Sequence, residues 1–586
     1  MNAKIRLKLF LLVVTASALA SCNTAENAPS FDSAPSLLTS NTGMVVTANP
    51  LATEVGIAVL EAGGSAVDAA VAIESVLSLV EPQSSGLGGG GFMLHYHQET
   101  HRIDVYDGRE TAPAGATSDM FLDQNGNAMR FLDAKTSGVS IGVPGMVSLL
   151  ALAHQDHGLL SWNQLFNPAI AHAENGFDVS PRLLNFLVGF QRNIPDSVSE
   201  GPIDLYQYFY DIDGQPKQRL VNPEYAETLR AISANPRSFY EGDIADAITK
   251  AANAEPRAGT LSTSDLEQYE ARKLEPLCAD YRDLVLCGPP PPSSWVAVGM
   301  VMSMLEQAPR YLEDSPPLRD WTIFGEALRL AYADRDQYIA DDEFVDVPLD
   351  GLLHPDYLAM RAAKINVDRA ASKVLPGDPW TFDTALAKRY GKDSTQEVAG
   401  TTHFTVVDRQ GNVVAMTASV ESVFGSTRMA KGMILNNQLT DFARNPIDDQ
   451  GQLLANAAAP LKRPRSSMSP TIVLDKNGEF LLSTGSPGGN SIISYTLKTL
   501  VALLDWELSP QQAVDLPNIV ARGDSIRIEQ DRASADLINT LHNYGFNVTE
   551  SQGENSGLSV IMRMPDGHLE GGADSRREGT IGVPIK

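Results

Sequence analysis

The segment Gly400-Thr401-Thr402-His403-Phe404-Thr405-Val406-Val407-Asp408 constrains this chain more than any other. It reads as an extended strand that begins directly after a glycine, with residues alternating in period two. Gln410-Gly411-Asn412 supplies a turn, and Val413-Val414-Ala415-Met416 runs back beside it. A hydroxyl residue at the start of a sheet strand becomes a nucleophile if the peptide bond before it is cut. The α-amine freed on Thr401 would titrate near ~8, which suits it to take a proton at neutral pH. Without such a base, Ser and Thr hydroxyls are poor nucleophiles. Taken alone, Thr-Thr-His at a strand start is also ordinary sheet sequence, so other segments must decide.

Two stretches downstream do so: Lys462-Arg463-Pro464-Arg465-Ser466-Ser467-Met468-Ser469-Pro470 and Thr484-Gly485-Ser486-Pro487-Gly488-Gly489. Together with the Gly-Thr-Thr-His start and Leu435-Asn436-Asn437-Gln438-Leu439-Thr440-Asp441-Phe442, they closely resemble the γ-glutamyltransferase family. The first half adds Ser84-Ser85-Gly86-Leu87-Gly88-Gly89-Gly90-Gly91-Phe92 and Gly108-Arg109-Glu110-Thr111-Ala112-Pro113, so the resemblance runs from about Met44 to the C-terminus. Members of that family are N-terminal-nucleophile hydrolases, made as one chain that cuts itself into a large and a small subunit. The resemblance therefore implies an α/β fold, a four-layer αββα sandwich shared by a large subunit over 43–400 and a small catalytic subunit over 401–586.

It also implies roles for single residues. Thr401 attacks the carbonyl of Gly400 to cut the chain, and afterwards attacks the γ-amide of a substrate such as glutathione. A residue without Cβ at Gly400 tolerates strained backbone and leaves the carbonyl open. Ser419 stands where relatives carry a Thr that hydrogen-bonds the nucleophile; it keeps the donor and acceptor but loses a stiffening methyl. Gly488 and Gly489 match the oxyanion hole, where fixed N–H donors are each worth about 10²–10³ in rate; on their own, Ser-Pro-Gly-Gly is good turn sequence. Arg109 corresponds to the arginine that grips the substrate α-carboxylate, a task suited to a planar guanidinium. Ser466 and Ser467 would bond the same carboxylate, and Asp441 with Gln438 would hold the α-ammonium.

Three departures bear on substrate. Glu421 stands where many members carry Asn, and its carboxylate would meet the substrate ammonium or turn into a local ion pair. Thr440 replaces an acidic neighbour of the Asp441 position. The stretch Phe442–Arg465 has no tyrosine, whereas some relatives cover the pocket with a tyrosine-bearing lid, so a more open site is expected. The leading reading is a self-processing γ-glutamyltransferase or glutathione hydrolase working through an acyl-Thr401 ester. A glutaryl or cephalosporin acylase of the same fold is the alternative, opposed by the retention of Arg109 and Asp441. An inactive peptide-binding surface lipoprotein is a third reading, and it would have little need of Thr401, Ser419, Gly488 and Gly489 together.

The N-terminus is a separate signal. Lys4, Arg6 and Lys8 precede the apolar run Leu9–Val14, too short to span a membrane, and Leu19-Ala20-Ser21-Cys22 looks like a lipoprotein processing site. Residues 1–22 thus read as a lipoprotein-type signal with Cys22 lipidated. Residues 23–42, rich in Ser, Ala, Asn and Pro, read as a flexible tether. No Asp follows Cys22, which fits sorting to an outer membrane, on its periplasmic side; ordinary cleavage and release is the other reading. Membrane contact is expected only through that anchor. The net charge of −27 makes a nucleic-acid partner unsuitable, since phosphate binding needs basic patches.

Cys278 and Cys287 lie on two short strands around a turn, and export permits a disulfide there, a free buried pair being the other option. No Cys or His cluster has metal-ligand spacing, so neither metal nor cofactor is implied. The glycine run at 86–91 lacks the Lys-Ser/Thr of a P-loop and reads as a close-packed turn next to the site. The middle of the chain, about 115–395, reads as amphipathic helices with loops. Its end, Asp393–Gly400, is polar without apolar periodicity and suits a mobile tail that swings away after cleavage.

Overall fold

The computed structural model describes residues 39–192, 203–255, 257–308, 318–383, 390–395, 397–398, 400–552 and 556–585. The signal segment, Cys22 and the tether as far as residue 38 lie outside the described residues. The expected tether over 23–42 is too long at its far end. Thr39 and Ser40 form a short strand paired with Glu570 and Leu569.

Strand parity builds the layers. Two antiparallel sheets of seven strands each carry the fold. In the first, Thr401–Val407 lies between Met44–Thr47 and Val413–Ser419, and Val413–Ser419 pairs onward with Gly90–His97. In the second, Thr471–Asp475 and Phe480–Gly485 sit centrally between Leu284–Gly288 and Ser559–Arg563. Successive side chains on a strand point to opposite faces. Met44, Val46, Leu94, Val407, Val413 and Ala415 of the first sheet therefore share one core with Ile472, Leu474, Phe480 and Ile561 of the second. Their sequence neighbours Val45, Met93, Val406, Val414 and Met416 face the other way, into helices such as Pro50–Glu61 and Ala66–Val80. On the far side Val473, Leu482 and Val560 pack against Val296–Gln307, Leu318–Tyr338 and Ile492–Leu504. Helix, sheet, sheet and helix stack in that order, the four-layer αββα sandwich.

Local signals do the positioning. Ser65 and Asp68 form a reciprocal capping box that starts the helix Ala66–Val80. The Asp68 carboxylate also accepts from the N–H groups of Leu159 and Leu160, tying that helix to a loop. Cys278 and Cys287 stand opposite each other on Leu277–Tyr281 and Leu284–Gly288 and form a disulfide. Both sheets mix strands from before and after position 400. A cut at that point would leave two interleaved chains rather than two separable lobes.

Candidate active site

The alternation along Thr401–Val407 aims the candidate nucleophile. Thr405 Oγ1 lies 2.6 Å from Ser483 Oγ on the second sheet. Thr402 points oppositely and its hydroxyl donates to Glu81 Oε2 at 3.2 Å. Thr401 therefore faces the layer between the sheets, at the strand end where that layer opens into a cleft. His403, on the same face, is a spacer rather than a base. Burial pushes its pKa down to about 3, and Nδ1 lies 2.8 Å from Thr417 Oγ1.

Ser419 sits directly opposite Thr401 in the sheet register. Its hydroxyl donates to the carbonyl of Gly400 at 3.0 Å and accepts from the N–H of Glu421 at 2.8 Å. The 3.2 Å contact between Ser419 Oγ and Thr401 Oγ1 thus has Thr401 as donor, because a serine hydroxyl has one proton to give. One side chain thus bridges the Gly400 carbonyl and the Thr401 hydroxyl. A Cβ on Gly400 would fall 2.3 Å from the carbonyl oxygen of Glu421 and 2.4 Å from the carbonyl carbon of Ser422, so only glycine fits. The 86–91 run approaches equally closely: a Cβ on Gly89 would lie 2.1 Å from Ser419 O.

Gly488 and Gly489 both have positive φ, 138° and 56°. Among the described residues neither N–H takes part in a backbone hydrogen bond, so both donors are available. Gly489 lines the cleft with Thr401 and Ser419, while Gly488 stands one residue back.

The charged wall is built from Arg109, Asp441, Gln438 and Glu421, all buried. Arg109 donates to Asp441 Oδ2 at 2.7 Å and to the carbonyls of Pro464 and Arg465 at 3.1 and 2.8 Å. Gln438 Nε2 donates to the same Oδ2 at 2.7 Å. This leaves Asp441 Oδ1 and Gln438 Oε1 as buried acceptors without partners among the described residues. Burial raises the Asp441 pKa to about 6 against the pull of Arg109. Glu421 reaches about 8, through burial first and repulsion from Asp441 second. Its carboxylate accepts from Ser422 and Asn437 and lines the cleft, so it has not turned away into an ion pair.

Three expectations change here. The described residues of the tail Asp393–Gly400 are not loose in the uncut chain. The buried Asp393 pairs with Arg465 at 2.8 Å, and Glu397 pairs with Arg335. Burial works against the Glu397 carboxylate, but Arg335 and Arg465 outweigh it and hold its pKa below the ordinary value. The cleft is accordingly lined by Glu397 and Val398 rather than open. Ser467 also differs: it accepts from Arg335 at 2.7 Å, on the Glu397 side, and not from Arg109. Ser466 Oγ accepts from the N–H of Met468 at 3.1 Å while lining the cleft.

Arg335, Arg465, Glu397, Met468 and Ile492 went unrecognised as site residues, since no local spacing marks them. Among the described residues, folding also assembles one trio of metal-type donors, His95, Asp104 and His157, within 4.8 Å of one another. They come from two paired strands and a helix, which sequence spacing cannot reveal. Lys273 Nζ lies 3.1 Å from Asp104, so a cation already faces that carboxylate.

Comparison with known proteins accords with this geometry. Residues 52–583 match the family model described as gamma-glutamyltranspeptidase. The glutathione hydrolase proenzyme of Bacillus subtilis (strain 168) is 37% identical over 557 residues, 93% of this chain and 92% of that protein. The acylase ACY 1 proenzyme of Pseudomonas sp. (strain V22) is 33% identical over 92% of this chain and 93% of that one. Among solved structures, cephalosporin acylase from Bacillus halodurans superimposes with a TM-score of 0.80 at 24% identity, covering 96% of this chain and 99% of that one, a likeness of fold. The chain belongs to the gamma-glutamyltranspeptidase family.

Proposed function

We propose that this protein is a self-processing γ-glutamyltransferase and glutathione hydrolase, with Thr401 as the nucleophile of both its reactions. In the first, Thr401 Oγ1 attacks the carbonyl carbon of Gly400, the Gly400–Thr401 amide breaks, and the acyl group moves to oxygen as an ester. Water cleaves that ester, leaving a Gly400 carboxylate and a free Thr401 α-amine. Ser419 assists by its hydrogen bond to the Gly400 carbonyl. In the second, the α-amine takes the hydroxyl proton as Thr401 attacks a γ-glutamyl amide. Gly488 and Gly489 N–H groups stabilise the oxyanion, the amine leaves, and water or an amino compound accepts the acyl group from the ester.

The observation that carries the γ-glutamyl reading is the pair of unpartnered buried acceptors, Asp441 Oδ1 and Gln438 Oε1. An α-ammonium has three donors to satisfy them, with Glu421 beside. A glutaryl group has none and would leave them bare, which disfavours the acylase reading despite the acylase relative. Arg109 and Ser466 would receive the α-carboxylate.

The test is intact mass of wild type beside Thr401→Ala, followed by hydrolysis of γ-glutamyl and glutaryl anilides. Two fragments broken between Gly400 and Thr401 are expected in wild type alone. The γ-glutamyl anilide should be preferred by about 10–100-fold, the cost of leaving such acceptors unpaired. An uncut wild type would sink the mechanism, and a glutaryl preference would transfer it to the acylase reading. We further propose export with lipidation at Cys22 on the periplasmic side of an outer membrane. Loss of fatty-acid labelling in Cys22→Ser is the expected result, and labelling that survives would refute it.

A further inference from the structure

Glu397 belongs to the segment before the scissile bond, yet its carboxylate is held as a ligand would be. Arg335 donates to it, Arg465 Nε lies 3.7 Å away, and Ser467, which lines the cleft, accepts from Arg335 at 2.7 Å. All these side chains are buried. The second carboxylate of the segment, Asp393, covers another edge of Arg465 at 2.8 Å. Arg465 still has Nε and Nη1 without a hydrogen-bond acceptor among the described residues. Among the described residues, Asp336 is the remaining carboxylate paired with this cluster, and it is shared by Arg335 at 3.2 Å and Arg522 at 2.9 Å.

Cleavage at Gly400 frees the end of this segment four residues from Thr401, counting 397 to 401. If Glu397 and Asp393 withdraw, three guanidinium groups are left against one carboxylate. Arginine does not shed its proton to relieve such an imbalance, and buried charges without counter-charges are strongly disfavoured. The vacated place needs an anion, and its two arginines and one hydroxyl match a carboxylate in shape and donor number.

We propose that Arg335, Arg465 and Ser467 form a second carboxylate subsite in the mature enzyme, occupied by Glu397 before cleavage and by a free carboxylate of the substrate afterwards. This rests on the γ-glutamyl reading, in which Arg109 receives the α-carboxylate, and it adds a requirement on the rest of the substrate. The carboxylate belongs to the amine side of the reaction, either the leaving group of the donor or the incoming acceptor. Peptides and amino acids with a free C-terminus carry it; simple amines, anilides and C-terminal amides do not.

The experiment uses the self-cleaved enzyme and has two arms. In the donor arm, kcat/KM is compared for γ-glutamylglycine and γ-glutamylglycinamide. In the acceptor arm, transfer from a γ-glutamyl anilide is compared for glycylglycine and glycylglycinamide. At least one arm should favour the carboxylate by roughly 10–100-fold in wild type, the range of a charge-assisted pair. Arg465→Leu should bring that ratio close to one, and Arg465→Lys should restore part of it. Ratios near one in both arms of wild type overturn the proposal, as does a ratio that survives Arg465→Leu. The wild-type ratios decide even if a variant fails to cleave itself. Hydrolysis of the γ-glutamyl anilide without acceptor is scored separately. Inactivity there refutes the γ-glutamyl reading, whereas activity without carboxylate preference refutes the subsite alone.

Discussion

Two buried arginine clusters flank the same cleft, and they differ in which side of residue 400 supplies their counter-charge. Arg109 is paired with Asp441, which lies after residue 400. Arg335 and Arg465 are paired with Glu397 and Asp393, which lie just before it. If the chain is cut after Gly400, as proposed above, the first pairing joins the two fragments and the second depends on a short segment that ends at the cut. The same ion-pair chemistry would then serve as scaffold in one place and as a removable plug in the other. The lesson is that a buried ion pair has to be read against the covalent history of the chain, since burial alone does not separate the two.

The strongest way to break this comparison is to remove Arg109. In Arg109→Gln the Asp441 carboxylate loses its one cation partner within ion-pair distance among the described residues, and such losses are worth about 3–5 kcal/mol. We expect kcat/KM for a γ-glutamyl anilide to fall by about 10²–10³, with a drop in thermal midpoint both before and after cleavage. A drop confined to the uncut form would show that Arg109 too belongs to the plug.

The plug makes the opposite prediction. In a Thr401→Ala background, which holds the chain uncut, Glu397→Gln should lower the thermal midpoint by a few degrees. The estimate takes about 3 kcal/mol for an unpaired buried cation, diluted over a large chain. In a self-cleaving background the same substitution should slow appearance of the two fragments, followed by gel or mass. An unchanged midpoint would mean that the pairs around Glu397 contribute nothing to the uncut state.

Ser419 sharpens the comparison at the nucleophile, where no charge is involved. Ser419→Ala removes one hydrogen bond to the Gly400 carbonyl and one acceptor for Thr401, each worth about 0.5–1.5 kcal/mol. Self-cleavage should slow by about tenfold, and Ser419→Thr should retain most of the rate, measured as fragment accumulation with time. Equal rates for Ser419→Ala and wild type would remove Ser419 from the reaction.

How much of this was legible before folding follows from distance along the chain. The strand from Thr401, its hairpin partner and the Ser65–Asp68 cap are local patterns, in which each residue's neighbours in sequence are its neighbours in space. Thr401, Ser419, Gly489, Arg109, Asp441 and Ser466 were singled out through motifs, and the fold does bring them to one cleft. Arg335 was invisible because it lies inside the long helix Leu318–Tyr338, where an arginine ordinarily marks a solvent face. It is buried because that helix packs on the second sheet, and its partners come from positions 397 and 467. The polarity of Asp393–Gly400 pointed to mobility for the same reason: charges without a visible partner look solvated. Their partners were arginines elsewhere in the sequence. Glu421 was noticed as a departure, but only the fold shows its carboxylate in the cleft rather than in an ion pair.

Glu421 supplies the smallest and most specific effect. Burial, and then Asp441, raise its pKa to about 8 in the uncut chain, which favours a proton there at neutral pH. A substrate ammonium favours the ionised carboxylate, so binding has to expel that proton below pH 8 and proceeds without that cost above it. The Thr401 α-amine, with a reference value near ~8, imposes a second rise, because it acts as a base only when neutral. Asp441, at about 6, is only about a quarter protonated at pH 6.5 and adds little to the slope above it. From pH 6.5 to 7.5 the logarithm of kcat/KM for a γ-glutamyl anilide should therefore climb with a slope approaching two in wild type. In Glu421→Gln one titration is gone and the slope should fall toward one, with a change of less than about tenfold in kcat/KM at pH 7 because the wild-type carboxyl is itself mostly neutral there. Equal slopes would show that Glu421 keeps its proton when substrate binds, leaving the ammonium to Asp441 and Gln438 alone.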